Sequence, residues 1–130
     1  MRLAQAGYEV YWIGDTNTTA ARKGDLLIIG SGSGETETLR GYTKKAKELQ
    51  IPIVVFTTCR ESALYADATV PVVIHADAKF KDGIEKQSVQ PMGSLFEETL
   101  FITLEALVLQ LMGERGISEK ELRKRHANFE

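Results

Sequence analysis

The most constraining stretch of the 130-residue sequence is Asp25–Gly30, DLLIIG, which runs directly into Ser31-Gly32-Ser33-Gly34-Glu35-Thr36. The apolar run does not alternate with polar residues, so it reads as a strand buried on both faces. Behind the glycines, Leu39, Tyr42, Ala46 and Leu49 recur near helical spacing, with Lys44, Lys45, Lys47 and Glu48 between them. A buried strand that hands a Gly/Ser turn to a helix belongs to a parallel sheet with helices on both faces.

The remaining chain agrees with that class. Tyr8–Ile13 (YEVYWI) is rich in β-branched and aromatic residues and reads as a strand, broken by Gly14-Asp15-Thr16-Asn17. Pro52 opens another apolar run, Ile53–Phe56, and Glu61–Ala66 reads as a short helical turn. Thr69–Ile74 is a further strand, and Pro71 places it at a sheet edge. His75–Val89 reads as a polar loop with Lys79, Lys81 and Lys86 exposed. Ser94–Met112 is a long apolar helix, and Ser118–His126 a short charged one behind Gly113 and Gly116. The expected fold class is α/β, a three-layer sandwich around a parallel sheet, with ligands outside the carboxyl ends of the strands. One domain over residues 1–130 accommodates it.

Composition removes several classes of function. With 43% hydrophobic and 26% charged residues the chain is neither disordered nor fibrous. Its net charge of −2 provides no basic field for a nucleic-acid backbone. Glu97, Glu98, Glu105 and Gln110 interrupt the long helix, so it is not expected to span a membrane. The single cysteine, Cys59, excludes an internal disulfide and a CxxC metal knuckle. His75 and His126 are far apart in sequence and offer no metal-ligand spacing.

The Gly/Ser turn carries the most legible chemistry. Gly30, Gly32 and Gly34 allow a tight turn with exposed amides, and the following helix offers free N–H groups and a positive dipole end. Ser31, Ser33 and Thr36 add hydroxyls. Such a cup suits a phosphate monoester on a small molecule. It is not a phosphate loop of the Gly-Lys-Ser/Thr type, and in a dinucleotide loop that began with Gly30 and Gly32 the third glycine's place is taken by Glu35, with Thr36 after it. Without a ligand the same residues make an ordinary Ser/Gly turn with a helix cap.

Ser94 followed by Glu97 has the spacing of a capping box, while Glu97 could also serve as a general base near a helix dipole's positive end. Glu98 is the competing carboxylate. His126 follows Arg123-Lys124-Arg125, where cations complement a helix C-terminus; its alternative is an acid–base group or a phosphate contact. Thr57, Thr58 and Ser62 read as turn and cap residues near the pocket, and Cys59 has no evident histidine partner.

Together these motifs resemble the SIS (sugar isomerase) domain family. Ser31-Gly32-Ser33-Gly34-Glu35-Thr36 is similar to its phosphosugar loop, and Phe56-Thr57-Thr58 with Ser62–Asp67 to its next strand–turn–helix. More narrowly, Gln90–Glu97 (QPMGSLFE) and Arg125–Glu130 (RHANFE) look like the 6-phospho-3-hexuloisomerase branch. The resemblance implies a flavodoxin-like fold with sheet order 2-1-3-4-5. Residues 1–7 read as the end of a helix stopped at Gly7, so the chain is expected to be N-terminally truncated, without the family's first helix, central strand and earlier Gly/Ser loop.

That branch interconverts D-arabino-3-hexulose 6-phosphate and D-fructose 6-phosphate in the ribulose monophosphate route. The resemblance implies Glu97 as proton-shuttling base and His126 as the group that polarises an oxygen or moves a hydroxyl proton. It implies Ser31, Gly32, Ser33, Gly34, Glu35 and Thr36 as the phosphate loop. No cofactor and no metal is implied. The implied setting is a cytoplasmic homotetramer acting on a small phosphosugar, with neither nucleic acid nor membrane as partner. The alternatives are a non-catalytic module that binds a sugar phosphate, an isomerase for another sugar phosphate, and an inactive remnant.

Overall fold

The computed structural model describes residues 1–76 and 88–128. Its elements are α1 (Arg2–Gln5), β1 (Leu27–Gly30), α2 (Glu37–Glu48), β2 (Ile53–Thr57), α3 (Ala63–Asp67), β3 (Val70–Val73), α4 (Ser94–Arg115) and α5 (Glu119–Lys124). The chain forms two compact units: Ala21–Leu100, and Met1–Ala20 together with Phe101–Glu130. Lys79, Lys81 and Lys86, most of the loop expected over His75–Val89, and the last two residues of the RHANFE run lie outside the described residues.

In the first unit the sheet is parallel, in the order β1-β2-β3. Leu27 pairs with Ile53 and Gly30 with Phe56; Val54 pairs with Val70 and Thr57 with Val73. Pro71 sits on an edge strand, as expected of a residue without an N–H. The central strand β2 supplies buried residues on both faces. One face packs Ile29, Ile53 and Val55 against Ala46, Ile51 and Leu64, the core under α2 and α3. The other receives the start of α4, where Leu100 and Phe96 approach Gly30 and Gly32. Helices therefore approach the sheet from both faces, giving three layers.

Two expectations are corrected. Tyr8–Ile13 is not a strand, and Val10, Tyr11, Trp12 and Ile13 are exposed. Its β-propensity is high, but propensity mostly measures packing against neighbouring strands, and none of the described residues forms a ladder with this segment. Nor is the DLLIIG run buried on both faces: Leu26 and Ile28 are 53% and 40% exposed. Ile29, on the opposite face, is buried, so only one face of β1 is well covered.

One polar tie joins α2 to α3. Asp67 accepts hydrogen bonds from the buried Thr43 hydroxyl, at 2.7 Å, and from the Lys47 ammonium. The Lys47 contact first, then Thr43, holds the Asp67 carboxyl below its ordinary range. A carboxylate with a lowered folded-state pKa stabilises the fold above the unfolded-chain value. That contribution is lost as the pH falls through the depressed folded value. Urea titrations at neutral pH and near pH 3 are expected to show this acid loss, and Asp67→Asn to show a smaller one. Equal acid sensitivity in both chains would remove Asp67 as a source.

In the second unit Arg2 pairs with Glu105 at 3.3 Å, and the Arg125 guanidinium donates to the Gln5 carbonyl at 3.2 Å. The Arg115 guanidinium lies 4.2 Å above the Tyr8 ring. These contacts hold α1 and the segment after it to α5 and the distal part of α4.

Candidate functional site

β1 ends at Gly30, and the turn from Ser31 to Thr36 leads into α2. The turn is held largely by its own hydroxyls. Ser31 Oγ accepts the Gly34 N–H at 3.2 Å and lies 3.2 Å from Thr36 Oγ1. Ser33 Oγ accepts the Glu35 N–H at 3.3 Å. Thr36 is the N-cap of α2, yet its side chain makes no capping hydrogen bond, so it does not shield the first-turn amides.

The loop after β2 locks this turn from below. The Gly32 carbonyl accepts the Thr58 N–H at 3.1 Å and the hydroxyls of Thr57 and Thr58 at 3.1 and 2.9 Å. Gly34 has φ +69 and lies so close to Ser62 that a Cβ there would stand 2.0 Å from Ser62 Oγ. Its carbonyl accepts the Leu64 N–H at 3.0 Å. Glu35 reaches across as well: Oε1 accepts the Ala63 N–H at 2.7 Å, in the first turn of α3. Ser62 caps α3 by accepting the Tyr65 N–H. The sequence reading of Thr57, Thr58 and Ser62 as turn and cap residues therefore missed their grip on the turn across the sheet.

α4 begins beside the same turn. A Cβ on Gly32 would lie 3.4 Å from the Phe96 ring, and one on Gly30 only 2.6 Å from Leu100. Glycine at both positions lets the helix approach. Glu97 follows the buried Phe96 in the first turn of α4 and is exposed. The capping box expected at Ser94 and Glu97 does not form. Ser94 is already helical, its hydroxyl donates to the Pro91 carbonyl at 2.8 Å, and the Glu97 N–H bonds to Gly93 O at 3.0 Å. The turn through Met92, at φ +55, starts the helix early. The motif appears instead at Ser118 and Glu121, on α5. Glu98 accepts a hydrogen bond from the Gln90 amide at 2.7 Å.

His126 belongs to the other unit. It is exposed, and its Nδ1 lies 2.9 Å from the Ala127 carbonyl. It borders a cavity of about 440 Å³ that Arg2, Gln5, Glu105, Leu122 and Arg123 also line. His75 is exposed just beyond β3. Cys59 is a half-buried free thiol in the loop after β2. Among the described residues, no group of three or more His, Cys, Asp or Glu side chains is placed to hold a metal ion. No helix among them is long and apolar enough to cross a membrane.

Comparison with known proteins adds to this geometry. The profile of the SIS domain matches residues 4–106. A 3-hexulose-6-phosphate isomerase of Bacillus subtilis is 36% identical over 130 residues, spanning all of this chain and 70% of that protein. One from Methylomonas aminofaciens is 38% identical over 132 residues, again spanning all of this chain and 71% of the other. A solved structure from Methanococcus jannaschii, described as inferring a 3-hexulose-6-phosphate isomerase function, superposes with a TM-score of 0.83 at 32% identity. It covers 99% of this chain and 68% of that one. The chain thus spans about 70% of the length of these curated relatives.

Proposed function

The chain belongs to the SIS domain family, and from that premise we propose that it is a phosphosugar isomerase interconverting D-arabino-3-hexulose 6-phosphate and D-fructose 6-phosphate. The observation that carries this reading is the seat of α4 on the Gly/Ser turn, with Phe96 against Gly32. It begins the helix bearing Glu97 at the rim of an amide-lined anion cup. A phosphate held in the cup keeps a short sugar chain within reach of that helix.

In the proposed reaction the phosphate is bound by the hydroxyls of Ser31, Ser33 and Thr36 and by amides of the turn beyond Ser31, at the positive end of α2; the Ser31 N–H itself donates to the Phe56 carbonyl. Glu35 acts through its carboxylate on Ala63, tying the loop to α3. Glu97 takes the C2 proton of the 3-hexulose. The electron pair forms the C2=C3 bond and charge moves to O3, giving a 2,3-enediolate. The O2 proton passes to O3, the C2 carbonyl forms, and Glu97 returns its proton at C3. No electron leaves the substrate. His126, brought in by the family resemblance alone, polarises the reacting oxygen or moves the hydroxyl proton, reaching the site of a neighbouring subunit.

An assay following fructose 6-phosphate formation by this chain tests the reading; binding of the sugar phosphate without turnover would make it a sensor module instead. Ser33→Ala is expected to raise KM several-fold with little change in kcat, since the phosphate contact exists in ground and transition states alike. An unchanged KM removes Ser33 from the anchor.

A further inference from the structure

We infer that Thr57 and Thr58 are positioning residues, which set the anion-binding face of the Gly/Ser turn by fixing the Gly32–Ser33 peptide plane. The inference rests on the proposed phosphate site and deepens it. Three donors converge on one carbonyl oxygen, Gly32 O: the Thr58 N–H at 3.1 Å, Thr57 Oγ1 at 3.1 Å and Thr58 Oγ1 at 2.9 Å. Thr57 is fully buried, and its hydroxyl also accepts the Cys59 N–H at 3.3 Å. That hydroxyl therefore has its proton committed to Gly32.

A trans peptide unit is planar, with its C=O and N–H pointing in opposite directions. No cis bond occurs among the described residues. With the Gly32 carbonyl aimed at the end of β2, the Ser33 N–H faces away from β2. Rotating that peptide would turn a carbonyl oxygen to the side where the N–H now stands, replacing an attraction for phosphate by a repulsion. Gly32 has no side chain to restrict its own dihedrals, so sterics alone do not hold the plane. The two hydroxyls and the amide do.

The test uses the full 130-residue chain, titrated with fructose 6-phosphate and separately with inorganic phosphate, with the Ser33 amide followed by ¹H–¹⁵N spectra. In the parent chain the Ser33 resonance is expected to move on binding. In Thr57→Val/Thr58→Val that shift should vanish, and affinity for both probes should fall roughly tenfold or more, the scale of one charge-assisted hydrogen bond. In turnover assays KM should rise with kcat nearly constant, and Thr58→Ser should restore the behaviour lost in Thr58→Val. If the double variant does not fold, Thr58→Val alone, which keeps the buried Thr57, is read in the same way. Undiminished affinity in a folded valine variant, beside a parent chain that binds, overturns this inference and spares the function. A parent chain that binds neither probe overturns the functional reading and the inference together.

Discussion

Glu97→Gln is expected to lower kcat by about 10²–10⁴-fold, the usual contribution of a positioned general base, while leaving affinity for fructose 6-phosphate near that of the parent. The amide has nearly the carboxylate's shape but cannot take a carbon-bound proton at neutral pH. Two structural facts make the substitution clean. The Glu97 side chain is exposed, and its backbone N–H is bonded to Gly93 O within the helix. The capping box that would tie the carboxylate to the start of α4 does not form. The proposed phosphate anchor lies on other residues, from Ser31 to Thr36, so binding and chemistry are expected to separate in the kinetics. Glu98→Gln is the matched control, because Glu98 is occupied by the Gln90 amide at 2.7 Å. It should keep most of the turnover. A Glu97→Gln chain that turns over at the parent rate excludes Glu97 as the base.

The local half of this site was readable from sequence, and the non-local half was not. The DLLIIG run and the glycines behind it announce a strand, a turn and a helix in adjacent residues, and β1 and α2 follow that order. The grip of Thr57 and Thr58 on Gly32 depends instead on strand register. Gly30 pairs with Phe56, so residues two positions beyond each strand partner meet at the carboxyl edge of the sheet. Nothing in the spacing of either segment states that pairing. Tyr8–Ile13 shows the same dependence in reverse: its composition is strand-like, but none of the described residues pairs with it. The two Ser-x-x-Glu patterns show a subtler limit. Both have capping-box spacing, yet only Ser118 caps, because the turn before Ser94 has already begun the helix. Glu97 and His126 owe their place in the proposed reaction to family resemblance, which spacing alone did not supply.

Gly34→Ala is expected to cost about 3–6 kcal/mol of stability, from left-handed backbone strain, overpacking and a disturbed helix cap taken together. A fold of this size has only about 5–15 kcal/mol in total. Gly34 stands at φ +69, and a Cβ there would be 2.0 Å from Ser62 Oγ, 2.4 Å from Ser62 Cβ and 3.0 Å from Thr57 Oγ1. Ser62 has little freedom to move aside: it is buried, donates to Cys59 O at 2.8 Å and caps α3. Displacing it shifts Leu64, which is fully buried in the core and bonded through its N–H to Gly34 O. The damage therefore runs from the Gly/Ser turn into the hydrophobic core, and urea midpoint and, on the proposed function, fructose 6-phosphate binding should fall together. Gly41→Ala provides the contrast. Gly41 lies within α2 with nothing within 4 Å of its Cβ position. There alanine should stabilise by about 0.5–1 kcal/mol through helix propensity alone. If Gly34→Ala unfolds at nearly the parent urea concentration, the close approach of the turn to Ser62 is wrong. The account of how the loop after β2 shapes the phosphate site would then fall with it.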